Sequence, residues 1–367
     1  MPLPPMVFRR VVLAPLIVFV TVGVIAFSPL ILLGAAFVVR WLPGRWRGLR
    51  FLWFLLVYLV RESVGLVAMF ALWVMSGFGW RLSSDRMRRA HVFLVGWYLN
   101  GLVVSARRVM GLRVVTEDVP EGLAVKDPLR AGSGASGRPV LVFSRHAGAG
   151  DSFLLVGLLV NTYGRRPHIV LKDQLQLDPC VDVVLNRLPN RFISPDPPPG
   201  AGVVESIAEL AAGLEPDGAL ILFPEGGNFS QARRTRAIQR LRDDGLDDLV
   251  VKAEELTQLL PPRPGGALAA IDAAPEADVM FVAHTGLEQL SSLRDLWNGL
   301  PMRREVRMTW WTVPAEHVPA TRTERVTWLY AWWEHMDTWI ERRLPPSVPV
   351  GPKLEDASVA ESTRGPL

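Results

Sequence analysis

The stretch VFSRHAGAGDS, residues 142–152, places a histidine and an aspartate five positions apart, at His146 and Asp151. Those two residue types at that spacing suit acid–base chemistry. A carboxylate that accepts a hydrogen bond from one imidazole nitrogen fixes the tautomer and leaves the other nitrogen free to take a proton from a hydroxyl. An ordinary imidazole, with a pKa of about 6.5, is already largely neutral at pH 7, so such a base needs no special tuning. The four small residues between the pair allow a turn tight enough for the contact. A plainer reading stands beside this one: Asp151 as a helix N-cap and His146 as a satisfied polar residue at a strand end, since the two types also fall this close by chance.

The elements that must position the pair are legible on either side. VLVFS (140–144) reads as a strand and DSFLLVGLLVN (151–161) as a helix, which puts both residues at the carboxyl edge of a sheet, where α/β folds carry their sites. A second strand, ALILF (219–223), also runs into a short turn, with Pro224, Glu225, Gly226 and Gly227 ahead of a basic helix bearing Arg233, Arg234 and Arg236. The glycines permit close backbone approach to a ligand, and amide donors with cationic side chains suit phosphate. Glu225 cannot itself bind an anion. Its expected part in this substrate-binding turn is to accept backbone or arginine hydrogen bonds that hold the loop. Other chemistries lack their signatures: GAG at 148–150 is not completed as a dinucleotide loop, because Phe153 occupies the third glycine position, and there is no phosphate-loop, zinc-protease or nucleophile-elbow motif. One cysteine, Cys180, rules out a disulfide framework and a polythiolate metal site, and a lone cysteine is more often a small buried hydrophobe than a nucleophile. No metal site is expected.

Taken together, RHAGAGDS and FPEGGNFS resemble the glycerolipid acyltransferase family, the 1-acyl-glycerol-3-phosphate acyltransferase-like enzymes, which pair an HxxxxD motif with an FPEG motif. The resemblance covers residues 86–315 and holds in order and spacing. It implies a cytoplasm-facing α/β domain attached by N-terminal apolar helices, transferring an acyl group from a thioester to a lysophospholipid or glycerol-phosphate hydroxyl. His146 would be the base and Asp151 its orienter. No cofactor is implied, the donor being acyl-CoA or acyl carrier protein as a substrate. The chain departs from the family pattern after FPEG: where Thr, Arg and Ser are usual, Gly227, Asn228 and Phe229 stand. The missing arginine is the one the family uses on the acceptor phosphate, which questions lysophosphatidic acid as acceptor. NRLPNRFISP (186–195), placed where the family has a second acceptor-binding segment, offers Arg191 first and Arg187 second as replacements. Both could equally be solvated loop residues. The late strand VMFVAHTGLE has Ala283 and His284 where a proline is usual, and His284 reads as a structural strand-end residue ahead of a pocket residue. Backbone amides near Gly148 to Gly150 are the candidates for stabilising a developing oxyanion.

The whole chain is consistent with a membrane-associated enzyme. Its 367 residues are 49% hydrophobic, high for a purely soluble protein, and the net charge of +4 suits anionic lipid or a phosphorylated substrate. Nucleic acid is not an expected partner, because the arginines flank apolar segments and motif loops instead of forming a basic and aromatic stripe. Residues 11–39 contain no charged side chain and as one helix would reach about 43 Å, against a hydrocarbon core of about 30 Å. No acidic residue precedes Glu62, while arginines flank the segment on both sides, so a single span leaves Arg40, Arg45, Arg47 and Arg50 outside. A re-entrant hairpin bent near Ser28–Pro29, both ends facing the cytoplasm at an inner or plasma membrane, fits the positive-inside tendency better, with a two-span hairpin as the alternative. A second apolar run, 51–79, is interrupted by Arg61, Glu62 and Ser63 and reads as interfacial or packed on the first. Trp41, Trp46, Trp53, Trp73 and Trp80 are candidate interfacial anchors.

From residue 86 an amphipathic helix leads into alternating strands and helices: strands at 140–144, 168–172, 219–223, 278–285 and 304–313, helices at 151–161, 203–214 and 231–260 with a break at Gly245. That pattern predicts an α/β fold with a mixed, largely parallel sheet flanked by helices. The Trp-rich segment 323–344 is expected to cap the sheet through Trp328, Trp332 and Trp339. The expected organisation is thus membrane-associated helices at 1–85, the α/β domain at 86–344 and a disordered Pro-rich tail at 345–367. Two other functions share these features, a catalytically inactive lipid-binding or scaffold protein and a lipid hydrolase, and the intact His146 and Asp151 favour the transferase.

Overall fold

Val140–Ser144 and Gly218–Leu222 contain no exposed position, and each forms an inner strand covered on both faces. The structure, a computed structural model, describes residues 3–39, 46–117, 137–148, 150–194, 202–288, 297, 300, 302 and 305–344. Among the described residues seven strands form one sheet: β1 (Arg113–Thr116), β2 (Val140–Ser144), β3 (Arg166–Lys172), β4 (Arg191–Ile193), β5 (Gly218–Leu222), β6 (Asp278–Thr285) and β7 (Glu305–Val313), in the order β1-β7-β6-β2-β5-β3-β4. Every neighbouring pair is parallel except β6 with β7, so the sheet is mixed and largely parallel.

Along the chain the helices are α1 (Ala14–Val39), α2 (Arg47–Met75), α3 (Asp85–Ser105), α4 (Asp151–Asn161), α5 (Pro179–Leu185), α6 (Val203–Ala212), α7 (Gln231–Asp243), α8 (Asp247–Glu255), α9 (Pro264–Ala273) and α10 (Arg322–Glu341). Alternate strand residues divide the core in two. Val140, Val142 and Ile221 pack with Met69 of α2, Leu99 of α3 and Leu155 and Leu159 of α4. Leu141, Phe143, Leu220 and Phe281 face the other way, onto Leu210 of α6, Leu268 of α9 and Trp333 of α10. The C-terminal helix does cap the sheet: Trp332 stacks on Phe281 with centroids 4.7 Å apart, and Trp328 and Trp339 pack against the same cluster. The predicted 231–260 helix is two, α7 and α8, separated at Gly245, whose φ of +69° suits glycine. The expected tail, 345–367, lies outside the described residues.

The N-terminal segments differ from expectation at one point. No hairpin break occurs at Ser28–Pro29; α1 continues helically through Pro29 to Val39. The two helices pack against each other, with Ser63 Oγ donating to Thr21 Oγ1 (2.8 Å) and Thr21 Oγ1 to the Leu59 carbonyl (3.2 Å). Each is long and apolar enough to cross a membrane. The interruption at Arg61 and Glu62 is explained by docking: the Arg61 guanidinium donates to the Trp97 carbonyl (2.7 Å), and Glu62 accepts from the Tyr98 hydroxyl (3.1 Å) and the Cys180 amide (2.7 Å). The helical lead into α1 is tied to the same wall. Buried Arg9 and half-buried Arg10 both bind Asp182 of α5, at 2.7 and 2.9 Å, and Asp182 is fully buried. Outward from this docked face α1 and α2 leave a broad apolar surface, with Phe19, Phe27, Leu30, Leu33, Phe70 and Trp53 exposed. Of the candidate anchors, Trp46 and Trp80 are also exposed, Trp73 packs on Phe70 and Phe78, and Trp41 lies outside the described residues.

Candidate active site

β2 and β5 are adjacent and parallel, with Phe143 opposite Leu222, so the loops that follow them leave the same edge side by side. This register brings His146 and Glu225 together across 79 residues of sequence. The carboxylate of Glu225 accepts from the His146 backbone amide (2.8 Å) and from the Leu260 amide (2.9 Å). The Phe229 amide donates to the His146 carbonyl (3.3 Å), and the Phe223 ring lies against the imidazole with centroids 4.8 Å apart. These contacts tie the turn after β5 to the backbone of the His146 loop and of Leu260. Burial pushes the Glu225 carboxyl up to about 7, against the pull of Arg145 and of the two backbone N–H donors.

Asp151 approaches the imidazole from the next turn. Its Oδ2 lies 2.7 Å from His146 Nδ1. An ionised carboxylate only accepts, so Nδ1 carries the proton and Nε2 is left as the acceptor. The same carboxylate collects Ala147 N (3.0 Å), Gly148 N (3.4 Å), Ser152 N (2.6 Å) and Ser152 Oγ (3.1 Å). Burial would raise its pKa, but the hydrogen bonds from His146 and the Ser152 amide help outweigh burial and hold it below the ordinary value. Asp151 is therefore an ionised carboxylate fixed by several donors, with 2% side-chain exposure, beside an imidazole with 20%. It is the first helical residue and not the N-cap; that position is Gly150, with φ +97°. Turned toward Asp151, the Gly148 amide is not offered to a reacting carbonyl, which removes one of the expected oxyanion donors, and Ala149 lies outside the described residues.

Both loops open on a cavity of about 730 Å³. Its walls are mostly apolar: Leu94, Tyr98 and Leu99 of α3, Val156 of α4, and Val184 and Leu185 of α5. Cys180 is part of this wall, buried, with its thiol pushed far up by burial, as befits a packing residue. His146, Asp151, Gly226, Asn228, Lys172 and Arg263 supply most of the polar lining.

Several predicted contacts are not made. Arg187 turns away from the cavity, donating to the Met69 carbonyl (2.8 Å) with His91 at 3.2 Å, and so staples β4's approach to α2 and α3. Arg191 sits on edge strand β4 in an exposed ion pair with Glu209 (3.0 Å), outside the lining. Gly227 is buried against Arg233, whose guanidinium donates to the Asn228 carbonyl (2.9 Å), while Arg234 is spent on the Leu256 and Glu254 carbonyls. The basic helix thus buttresses the turn without lining the cavity. His284 is buried behind Asp151, its Nε2 4.0 Å from Oδ2 and 3.3 Å from the Arg145 carbonyl; burial and Arg145 push its pKa down to about 4, so it is a neutral structural residue. Sequence reasoning missed Phe223, Lys172 and Arg263. Phe223 adjoins the PEG turn and was available from its position, whereas no spacing relation singles out the other two.

Two apposed loops at the carboxyl edge thus carry the HxxxxD residues His146 and Asp151 on one side and the FPEG turn on the other. The Acyltransferase family model matches residues 113–285, from β1 to the end of β6. Over this stretch the chain is similar to the acyltransferase family. No curated protein and no solved structure matches the chain. The matched acyltransferase segment contains both loops, all three residues of the His146–Asp151–Glu225 arrangement and the strands β2 and β5 that carry them. Helices α1 to α3, which dock on it, and α10, which caps it, lie outside the match.

Proposed function

We propose that the protein is a membrane-associated O-acyltransferase that moves a fatty acyl group from an acyl thioester to the hydroxyl of a lysophospholipid or glycerol-phosphate acceptor. In this reaction the acceptor oxygen attacks the thioester carbonyl carbon while His146 Nε2 takes its proton. The C–S bond then breaks and the proton passes to the departing thiolate, giving an ester and a free thiol. A thioester is already activated, so no acyl-enzyme and no cofactor are required. Base catalysis accounts for about 10² to 10⁴ in rate, and positioning supplies the rest. The single observation that carries the reading is an imidazole with an ionised carboxylate on Nδ1 and its other nitrogen left as an acceptor at a large apolar cavity. The apolar outer surface of α1 and α2 suits attachment to a membrane, which keeps acyl chains in the bilayer while head groups reach the loops.

The test is product analysis with the full-length protein in phospholipid vesicles. Labelled acyl-CoA or acyl carrier protein is offered with a lysophospholipid, glycerol 3-phosphate, a monoacylglycerol or no acceptor. The expected result is an acylated phospholipid or glycerol phosphate formed one for one with free thiol. Free fatty acid released regardless of acceptor would identify a hydrolase, and absence of thiol release with every donor would identify a protein that binds lipid without turnover.

A further inference from the structure

One wall of the cavity is held from outside the matched segment. Along α5 the residues that line the cavity are Cys180, Val181, Val184 and Leu185, positions that share one face of a helix. Asp182, off that face, takes Arg9 and Arg10 of the lead into α1. The Cys180 amide donates to Glu62 of α2 (2.7 Å), the Tyr58 hydroxyl of α2 donates to Asp178, and Arg187, just past α5, donates to the Met69 carbonyl (2.8 Å). Tyr98, which lines the same cavity from α3, is tied to Glu62 as well (3.1 Å). At Gly65, about one turn along α2 from Glu62, the hairpin touches the wall itself. A Cβ built on that glycine would lie 2.8 Å from Cys180 Sγ, nearer than packed atoms come. Gly65 is a buried residue in the interior of α2 and is not among the glycines with positive φ, so the backbone does not call for glycine there. Glycine is otherwise disfavoured inside a helix relative to alanine. What it provides at this position is room for the Cys180 thiol.

We propose that Gly65 is a specificity-determining position: through it the N-terminal hairpin backs the cavity wall, and the space it leaves to the Cys180 thiol sets the bulk of the acyl chain that the cavity admits beside α5. This rests on the acyl-transfer reading of the same cavity. The wall has little freedom to retreat. It is tied to α2 at Asp178 and the Cys180 amide and again at Arg187, and to the lead of α1 at Asp182. A group added at Gly65 is therefore relieved by moving the thiol, and the open volume beyond the thiol is the cavity. Close-packed interiors transmit such a displacement, and a pocket that loses room for one methylene discriminates by about tenfold or more. The selecting residue lies ahead of the 113–285 match, in the part of the chain that also carries the apolar outer surface. An acyl chain is carried by the thioester donor and by a lysophospholipid acceptor alike, so the two sources must be separated.

The experiment compares full-length wild type, Gly65→Ala, Cys180→Ala and the double variant in phospholipid vesicles, with saturated acyl chains graded from short to long. In one arm the thioester chain is varied against a fixed acceptor; in the other the lysophospholipid chain is varied against a fixed thioester. Gly65→Ala is expected to lower kcat/KM for long chains relative to short ones by about tenfold or more, in the arm whose chain lies against α5. Cys180→Ala should shift that ratio the other way, and the double variant should return it to within about twofold of wild type. A loss of stability alone scales all chain lengths equally, so the ratio separates selection from folding. An unchanged ratio in both arms, or a double variant that keeps the Gly65→Ala ratio, would overturn the assignment. Cys180→Ala, the gentler change, carries the test if Gly65→Ala does not fold, and an unchanged ratio there has the same force. Occupancy is read without turnover by photo-crosslinking the same proteins with fatty acids that end in a diazirine, followed by peptide mapping. Label is expected on α5, reduced for the long probes in Gly65→Ala and restored in the double variant. That pattern without acyl transfer would defeat the enzymatic reading and leave the assignment in place. Acyl transfer with an unchanged ratio and no label on α5 would do the reverse.

Discussion

Replacing His146 by alanine is expected to lower kcat by about 10²- to 10⁴-fold, the span of a lost general base, with KM for the thioester donor and the acceptor changed by little. The imidazole is 20% exposed and its ring is not part of the packed core, so the loss in stability should be small. Asp151 would remain buried and ionised, satisfied by Ala147, Ser152 and its other donors. Steady-state kinetics with thiol release as readout, beside thermal unfolding, separates chemistry from folding. A variant retaining wild-type kcat would remove His146 from the reaction.

A second large effect belongs to Glu225, which holds the backbone amide of His146. In Glu225→Gln one oxygen becomes an NH₂ group, so one of the two backbone amides now bound, His146 or Leu260, faces a donor in a fully buried site. The cost in stability should be about 1–3 kcal/mol, the penalty of a buried unsatisfied donor. A displacement of the His146 loop by about 1 Å is enough to lower kcat about 10²-fold. The pH dependence gives a distinct signature. The folded-state pKa of Glu225 is raised from 4.5 to about 7, so between those values the native state holds a proton that the unfolded chain has released. Its contribution to stability therefore falls as pH rises through that window. Unfolding free energies for the wild type should decline relative to Glu225→Gln from pH 4.5 to 7. Parallel curves would show that the carboxylate is not buried as described, and an unaltered kcat that the loop does not depend on it.

The part of this site that the sequence disclosed is the part carried by local chemistry. VLVFS and ALILF are short, mostly apolar runs closed by polar or Gly-rich turns, a pattern that inner parallel strands show, and the residues that follow them fall at the sheet edge. His146 and Asp151 are five residues apart and needed only a turn. What stayed hidden depended on register and on packing between distant segments. Arg191 and Arg263 are equivalent by type; one is on an edge strand paired with Glu209, the other is pinned to Pro224, and nothing short of the fold distinguishes them. β1 and β4, of four and three residues, exist through pairing with β7 and β3 and carry no periodic signal of their own. α9 begins Pro264-Gly265-Gly266, which locally favours a turn, and is helical because it packs on α6 and the sheet. The hairpin bend near Ser28–Pro29 rested on the flanking arginines and the proline, whereas α1 is helical through Pro29 and packs on α2 through Thr21 and Ser63.

The relation between the two residues of HxxxxD is open to a direct measurement. Rates of acyl transfer for wild type, His146→Ala, Asp151→Asn and the double variant form a closed cycle, read in the same vesicles with the same donor and acceptor. If Asp151 acts through the imidazole it orients, its replacement slows the wild type but adds almost nothing once His146 is gone, and the double variant matches His146→Ala within about twofold. Losses that multiply, leaving the double variant slower than His146→Ala by the full factor of Asp151→Asn, would contradict a base held by its carboxylate.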